Sequence, residues 1–342
     1  MAERKIKVAI NGLGRIGRAF LKIASDRPEI EIVAVNDLAE IKNIAYLIKY
    51  DTVYGVWPGE VEAVEGNLLI NNRPVKFLSI ADPKNLPWKD LAIDVVIEAT
   101  GVFAGYDKSR AHLDAGARKV VISAPVKDDP PVGIGGATVL MGINQDQLNT
   151  CQISSNASCT TNAVSPLIKI LNDAVGIEKA VLNTVHGYTA SQKLVDSPDA
   201  KDFRRGRAGA QNIIPSTTGA AIAVTKVMPE LTDKFDGLAM RVPVPTGSLV
   251  DLTFIAKRET TVEEVNGKLK AAAADPAWQA VFTVTEDPIV SADIIGSSYA
   301  SIADLAFTKV IGGNLVKVLA WYDNEMGYTH TLIQHVLETG SR

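Results

Sequence analysis

Two rhythms of apolar and polar positions divide this chain. In the first, short runs rich in β-branched residues, Lys5 to Asn11 (KIKVAIN), Glu31 to Asn36 (EIVAVN), Asp94 to Ala99 (DVVIEA) and Lys119 to Ser123 (KVVIS), have mostly apolar centres, as expected of strands buried on both faces. Segments with apolar residues at helical spacing lie among them: Arg18 to Ser25, Ile41 to Lys49 and Asp107 to Ala115. That alternation predicts βαβ units and a parallel sheet covered by helices. Residues 61 to 78 interrupt it with short strands that turn at Gly66-Asn67 and Asn71-Asn72. A Pro/Gly-rich surface loop at 128 to 138 precedes short strands around Val139-Leu140 and Gln152-Ser154.

Near residue 157 the rhythm changes. A helix over Ala163 to Ala174 is followed by long strand-like runs, Ala180 to Val185, Gly237 to Val244, Val250 to Ala256 and Leu315 to Trp321, with few helices between them. This grammar predicts a second, largely antiparallel sheet. Ser191 to Pro215 reads as a long polar and basic loop, and loops of that length inside a domain are usually functional.

Length agrees with two cores, since 342 residues exceed the roughly 150 residues of one domain. A formal net charge of −4 without long charged blocks gives no footprint for a nucleic acid or an anionic membrane surface, so a small-molecule partner is expected. The two cysteines, Cys151 and Cys159, lack a second Cys/His pair at zinc spacing, so neither a disulfide framework nor a metal site is expected. Met1 to Lys5 run into the first strand without an apolar leader, and no 18-residue apolar run occurs, which fits a reducing cytoplasm.

Chemistry sharpens the first domain. Gly12-Leu13-Gly14-Arg15-Ile16-Gly17 follows the first strand at once, and Asp37 ends the second. In a dinucleotide-binding βαβ unit, Gly12 permits the tight turn, Gly14 lets the backbone approach a pyrophosphate, and Gly17 allows close packing of the helix. Asp37 would accept from a ribose diol and repel a 2′-phosphate, which favours NAD over NADP. Ligands of such sheets lie beyond the carboxyl ends of strands, where Thr100, Gly101, Ser123 and Pro125 fall. The expected fold is therefore α/β: a Rossmann-type parallel-sheet domain over 1–157, and an α+β catalytic domain with a largely antiparallel sheet over 158–325. A terminal helix over about 326–342 would pack back on the first domain.

Ser155 to Asn162 (SNASCTTN) places Cys159 just before a helix, with Ser158 as a plausible N-cap. Alone, the stretch admits two readings: a buried small residue, or a thiol whose thiolate is favoured by unpaired backbone N–H groups. His112 and His335 read as surface or packing residues and His330 as ambiguous, whereas His186 ends a strand before Gly187 and would suit a base beside a thiol. Arg204, Arg205, Arg207 and Arg241 offer guanidinium forks, and Thr189, Thr217 and Thr218 offer hydroxyls. Pro215 to Gly219 also leads into an Ala-rich helix, another oxyanion-binding N-terminus. Two anion sites near one thiol suit a phosphorylated substrate and a second phosphate.

Taken together, INGLGRIGR, AVNDL, LIKYDTVYG, EATGVF, SAP, SNASCTTN, VHGYTASQK, RRGRAGAQNIIPSTTGAA, RVPVPTGSLVDL and WYDNEMGYTH resemble the glyceraldehyde-3-phosphate dehydrogenase family nearly end to end. The resemblance implies a homotetramer, NAD as oxidant, and glyceraldehyde 3-phosphate and inorganic phosphate as substrates. It implies Cys159 as nucleophile and His186 as base, with Thr189 and Arg241 on the substrate phosphate. Ser158, Thr160, Arg205, Thr218 and Gly219 would form the attacking-phosphate site. Arg15, Ile16, Asp37, Ser123 and Asn324 match cofactor contacts, with Tyr328 near Asn324. The chain departs from the common pattern at Ala163, Ala81, Met326 and a longer loop at 129–136. The alternatives are an erythrose-4-phosphate dehydrogenase, which ends in thioester hydrolysis, and a non-catalytic NAD-binding thiol sensor.

Overall fold

Strands without alternation belong to a sheet buried on both faces, and the first sheet is built that way. A computed structural model describes residues 4–200 and 202–342; Met1, Ala2 and Glu3 of the expected leaderless start, and Lys201 of the long loop, lie outside the described residues. Two compact units divide the chain, one running up to Ala157 and including Thr329–Arg342, the other Ser158–Tyr328.

The first unit contains β1 (Ile6–Asn11), α1 (Arg15–Ser25), β2 (Ile30–Asn36), α2 (Ile41–Lys49), β3 (Tyr50–Asp51), β4 (Gly55–Val56), β5 (Val61–Val64), β6 (Asn67–Ile70), β7 (Arg73–Leu78), β8 (Val95–Glu98), α3 (Tyr106–Asp114), β9 (Lys119–Ile122), β10 (Gly136–Thr138) and β11 (Ile153–Ser155). Nine strands lie in the order β10-β11-β9-β8-β1-β2-β7-β6-β5. Pairing is parallel from β10 to β7 and antiparallel only at the β7-β6-β5 meander. Val8 to Ile10, Val95 to Ile97 and Val120 to Ile122 have no exposed surface, which accounts for their unbroken apolar runs.

The second unit contains α4 (Cys159–Val175), β12 (Ile177–Gly187), β13 (Ile214–Thr217), α5 (Ala220–Val227), β14 (Phe235–Val242), β15 (Ser248–Ala256), α6 (Val262–Ala274), β16 (Phe282–Thr285), β17 (Ser301–Ile311) and β18 (Leu315–Tyr322), and α7 (Met326–Gly340) begins in it. Its sheet runs β13-β14-β12-β15-β18-β17-β16. Four pairings are antiparallel, while β12-β14 and β16-β17 are parallel. Among the described residues no helix is long and apolar enough to cross a membrane.

Several element bounds differ from those that the apolar rhythm suggests. Helix α1 starts at Arg15, not Arg18, because Gly14 occupies its N-cap. Helix α4 starts at Cys159, not Ala163, because the Ser158 Oγ accepts the Thr161 N–H at 3.1 Å, so a buried polar turn precedes the apolar one. The strand expected at Val139-Leu140 lies instead at Gly136–Thr138; Leu140 is apolar because it is buried in a turn, where its N–H donates to the Asn144 Oδ1 at 2.8 Å.

His335, on α7, is fully buried. Its Nδ1 lies 3.0 Å from the Asn156 Oδ1 and its Nε2 lies 2.8 Å from the Ser154 Oγ, so a neutral ring donates to the first and accepts from the second. Burial pushes its pKa from 6.5 down to about 3. Below pH 6.5 the unfolded chain binds a proton here that the folded chain refuses. The stability contribution is therefore complete above pH 6.5 and is lost as pH falls toward 3, at about 1.4 kcal/mol per pH unit. His335→Gln, which cannot titrate, is expected to lose less melting temperature than the parent between pH 6.5 and 4.5; an equal loss would contradict this.

Candidate active site

Dinucleotide chemistry requires a backbone that can come close, and the loop after β1 supplies it. Gly12 has φ 97°, and a Cβ there would lie 2.7 Å from the Thr100 backbone N, so the β1 and β8 loops touch main chain to main chain. A Cβ on Gly17 would lie 2.0 Å from the Gly12 carbonyl oxygen, whereas one on Gly14 would meet nothing within 4 Å. Open space therefore faces the start of α1, where Arg15 and Ile16 present backbone N–H groups. The Asp37 carboxylate accepts the Leu13 N–H at 2.8 Å and the Ala39 N–H at 2.9 Å, which ties the acid to the glycine turn and leaves lone pairs for a diol. These residues fit a dinucleotide.

Three expected cofactor residues act differently from a direct side-chain contact. The Arg15 guanidinium sits 2.6 Å from the Asp51 carboxylate and over the Tyr54 ring, so its side chain is engaged within its own unit. The Thr100 hydroxyl donates to Glu98 and accepts the Val102 N–H at 3.0 Å. The Ser123 N–H donates to the Glu98 backbone carbonyl at 2.9 Å. Gly101 takes φ 72°, the left-handed turn beyond β8.

In the second unit the thiol is built from local and long-range parts. Ser158 caps α4, so Cys159 is its first residue, next to unpaired N–H groups. Parallel pairing of β12 with β14 sets His186 opposite Arg241. The result is a chain of three: Cys159 Sγ lies 3.4 Å from His186 Nε2, and Arg241 Nη1 lies 2.6 Å from His186 Nδ1. The same Nδ1 is 2.7 Å from the Gly187 carbonyl, and Tyr322 stands edge-on to the ring at 5.9 Å.

Nδ1 cannot both donate to Gly187 and accept from Arg241, so two tautomers share this geometry. With the proton on Nδ1, Nε2 offers a lone pair to the thiol; with Arg241 donating to Nδ1, Nε2–H donates to a thiolate. Burial pushes the Cys159 thiol up and His186 from 6.5 down to about 3, while Arg241 draws the thiol back and adds to the depression of His186. Burial thus favours the neutral forms of both groups, and the approach of Sγ to Nε2 is the path by which a proton can pass between them. One proton is shared between them.

Around this pair the structure gathers some expected groups and not others. The Thr160 hydroxyl is 2.9 Å from the Tyr322 hydroxyl, which also meets Thr184 at 2.8 Å. Ser158 Oγ pairs with the Thr161 hydroxyl at 2.7 Å. Arg205 donates to the Ser216 Oγ at 3.1 Å, and its charge adds to the burial that lowers the Arg241 pKa. Thr189 pairs with Ser191 at 2.9 Å, and the Thr218 Oγ1 accepts the Ala220 N–H at 3.2 Å beside Gly219, the α5 N-cap. Arg207 pairs with Asp196 at 2.8 Å and Arg204 is exposed, a solvated role for both.

Asn324 is held from behind. Its Oδ1 accepts from the Ser248 hydroxyl at 2.8 Å and from the Thr246 hydroxyl at 3.1 Å, so the oxygen is engaged and the amide nitrogen is the group that can donate to a ligand. Ser248 also accepts the Gly187 N–H at 3.2 Å, tying Asn324 to the strand end that carries His186. Tyr328, two residues into α7, is buried. Sequence reasoning assigned no role to Tyr322, Thr246 or Ser248. The available signal was a hydroxyl at the start of a strand whose alternate positions are buried; the register of Ser248 with Tyr322 shows only in the fold.

Comparison with known proteins gives the family. Residues 6–106 match the family model of the glyceraldehyde 3-phosphate dehydrogenase NAD binding domain, and residues 158–324 match that of the C-terminal domain. Glyceraldehyde-3-phosphate dehydrogenase of Clostridium acetobutylicum is 48% identical over 333 residues, 96% of each chain. The enzyme of Geobacillus stearothermophilus is 46% identical over 330 residues, again 96% of each. That of Borreliella burgdorferi is 47% identical over 335 residues, 96% of this chain and 98% of the relative. Because both family models match and this likeness runs almost the full length, the chain belongs to the glyceraldehyde-3-phosphate dehydrogenase family.

Proposed function

We propose that this chain oxidises glyceraldehyde 3-phosphate, with NAD and inorganic phosphate, to 1,3-bisphosphoglycerate through a thioester on Cys159. The observation that carries the reading is the 3.4 Å approach of the thiol at a helix start to a neutral imidazole backed by Arg241. NAD, when bound, supplies the two-electron oxidant. Cys159 Sγ forms a bond to the aldehyde carbon, and its proton passes through His186 Nε2 to the new hydroxyl. His186 then takes that hydroxyl proton as the carbon is oxidised, and later returns it to sulfur when phosphate oxygen displaces the thiolate. The proton that the attacking phosphate carried is released to solvent once its oxygen has bonded the acyl carbon, which closes the balance.

The remaining assignments follow from the groups available. Thr189 and the N–H groups of Arg241 not turned to His186 would hold the substrate phosphate. Ser158, Thr160, Arg205, Thr218 and Gly219 would receive the attacking phosphate, where hydroxyls and a guanidinium surround two helix starts. Gly12, Gly14, Arg15, Ile16, Gly17, Asp37, Thr100, Gly101 and Ser123 would form the dinucleotide cradle, and Asn324 with Tyr328 would orient the carboxamide. The working protein is a cytoplasmic homotetramer on this reading. Assays with and without inorganic phosphate test it: turnover is expected to require phosphate and to yield an acyl phosphate that hydroxylamine traps. Equal turnover without phosphate would favour thioester hydrolysis instead.

A further inference from the structure

One row of the first sheet breaks its apolar rule. Pairing sets Glu98, Asn11 and Asn36 side by side at the carboxyl ends of β8, β1 and β2. All three are buried, at 1%, 2% and 5% exposure, in strands whose other buried residues are Val, Ile and Ala. Their side chains form a continuous hydrogen-bonded belt. Asn11 Nδ2 donates to Glu98 Oε2 at 2.6 Å, and Asn36 Nδ2 donates to Asn11 Oδ1 at 2.7 Å. Beyond β7, the Ile80 N–H donates to Asn36 Oδ1 at 2.9 Å, and its carbonyl accepts from Asn36 Nδ2 at 2.9 Å.

At the other end Glu98 gathers more donors. The Thr100 N–H reaches Oε1 at 2.8 Å and the Thr100 hydroxyl donates to the same oxygen. His112 Nε2 lies 3.1 Å from Oε2, and Trp88 Nε1 donates to His112 Nδ1 at 3.0 Å. Tryptophan only donates, so Nδ1 accepts and Nε2 carries the proton that Glu98 receives. Glu98 is thus acceptor-only towards four donors from three chain segments.

We infer that Glu98 is a positioning residue of the cofactor site, fixing through this belt the four loops that follow β8, β1, β2 and β7. The inference rests on the dinucleotide reading of those loops, which carry Thr100 and Gly101, Gly12 to Gly17, Asp37, and Ile80. The polarity of the belt is what makes it decisive. Ile80 presents a backbone N–H and carbonyl that cannot exchange, so Asn36 has one orientation, Asn11 follows it, and the last acceptor must be Glu98. Glutamine there keeps the shape but turns an NH2 towards either Asn11 and His112 or Thr100. Flipping Asn11 to accommodate it forces Asn36 to flip against Ile80. Buried donors are left without acceptors, and the loops must shift to find them.

Isothermal titration with NAD tests the idea without turnover. Glu98→Gln is expected to weaken NAD binding at least tenfold and to raise KM for NAD in step. Turnover at saturating NAD and KM for glyceraldehyde 3-phosphate should stay within threefold, and Glu98→Asp, still acceptor-only, should recover part of the affinity. NAD affinity within twofold of the parent, with or without a lowered melting temperature, would overturn the inference. Should Glu98→Gln not fold, Asn36→Ala opens the belt at its far end and is expected to weaken NAD at least threefold; unchanged affinity there would overturn it equally. Failure of the parent itself to bind NAD would instead sink the cofactor reading and this inference with it.

Discussion

Replacing Cys159 with serine is expected to lower kcat by about 10⁴-fold or more, equivalent to roughly 5.5 kcal/mol of barrier. Acidity and position set the size of the effect. Even a thiol raised by burial ionises far more readily than a serine hydroxyl, and thiolate is the stronger nucleophile and the better leaving group. The neutral His186 can take a thiol proton but is a poor match for an alcohol. The other cysteine offers no substitute: Cys151 lies in the first unit, buried, with its thiol also pushed up by desolvation. NAD affinity by titration should be unchanged, since the groups assigned to the dinucleotide, from the glycine turn and Asp37 to Asn324 and Tyr328, do not include Cys159. Residual turnover above about one percent of the parent would indicate a second nucleophile and remove Cys159 from its role.

What was legible along the chain was what local sequence controls. The glycine turn after β1 and the acid at the end of β2 could be placed because a φ of 97° and main-chain contact demand glycine at Gly12, whatever surrounds them. The N-cap of α4 was equally local, since Ser158 needs only the N–H three residues on. Pairings that span the chain were not legible in this way. That His186 faces Arg241 follows from a parallel register between β12 and β14, and no local pattern encodes it.

Buried polar groups were the other blind spot. In a run such as DVVIEA, the glutamate looks like the end of a strand, yet Glu98 is among the least exposed residues of the sheet. Its partners Asn11 and Asn36 look like turn formers for the same reason. A buried carboxylate survives only when donors surround it, and those donors come from β1, α3 and the loop after β8, far apart in sequence. His112 and His335 are packing residues in this sense, each held by partners that the sequence alone does not pair.

His186→Asn is expected to lower kcat by roughly 10²- to 10⁴-fold, the usual worth of a positioned general base, and to change the shape of the pH dependence as well as its height. In the parent, burial and Arg241 hold His186 at about 3, so the ring is neutral between pH 6 and 8. Thiol attack is then assisted throughout, and the reaction should lose little rate between pH 8 and 6. Asparagine can hydrogen-bond but cannot take the proton. Reaction then requires thiolate formed in advance from a thiol that burial pushes up, so the rate should fall about tenfold per pH unit below that thiol's pKa. Alkylation of Cys159 by iodoacetamide reads the same quantity without substrate or cofactor. The parent should keep reacting near pH 6, where His186→Asn should have become nearly inert. Superimposable alkylation curves would mean that the 3.4 Å contact between Sγ and Nε2 carries no proton, and the thiol-sensor reading would then regain the ground that the geometry now denies it.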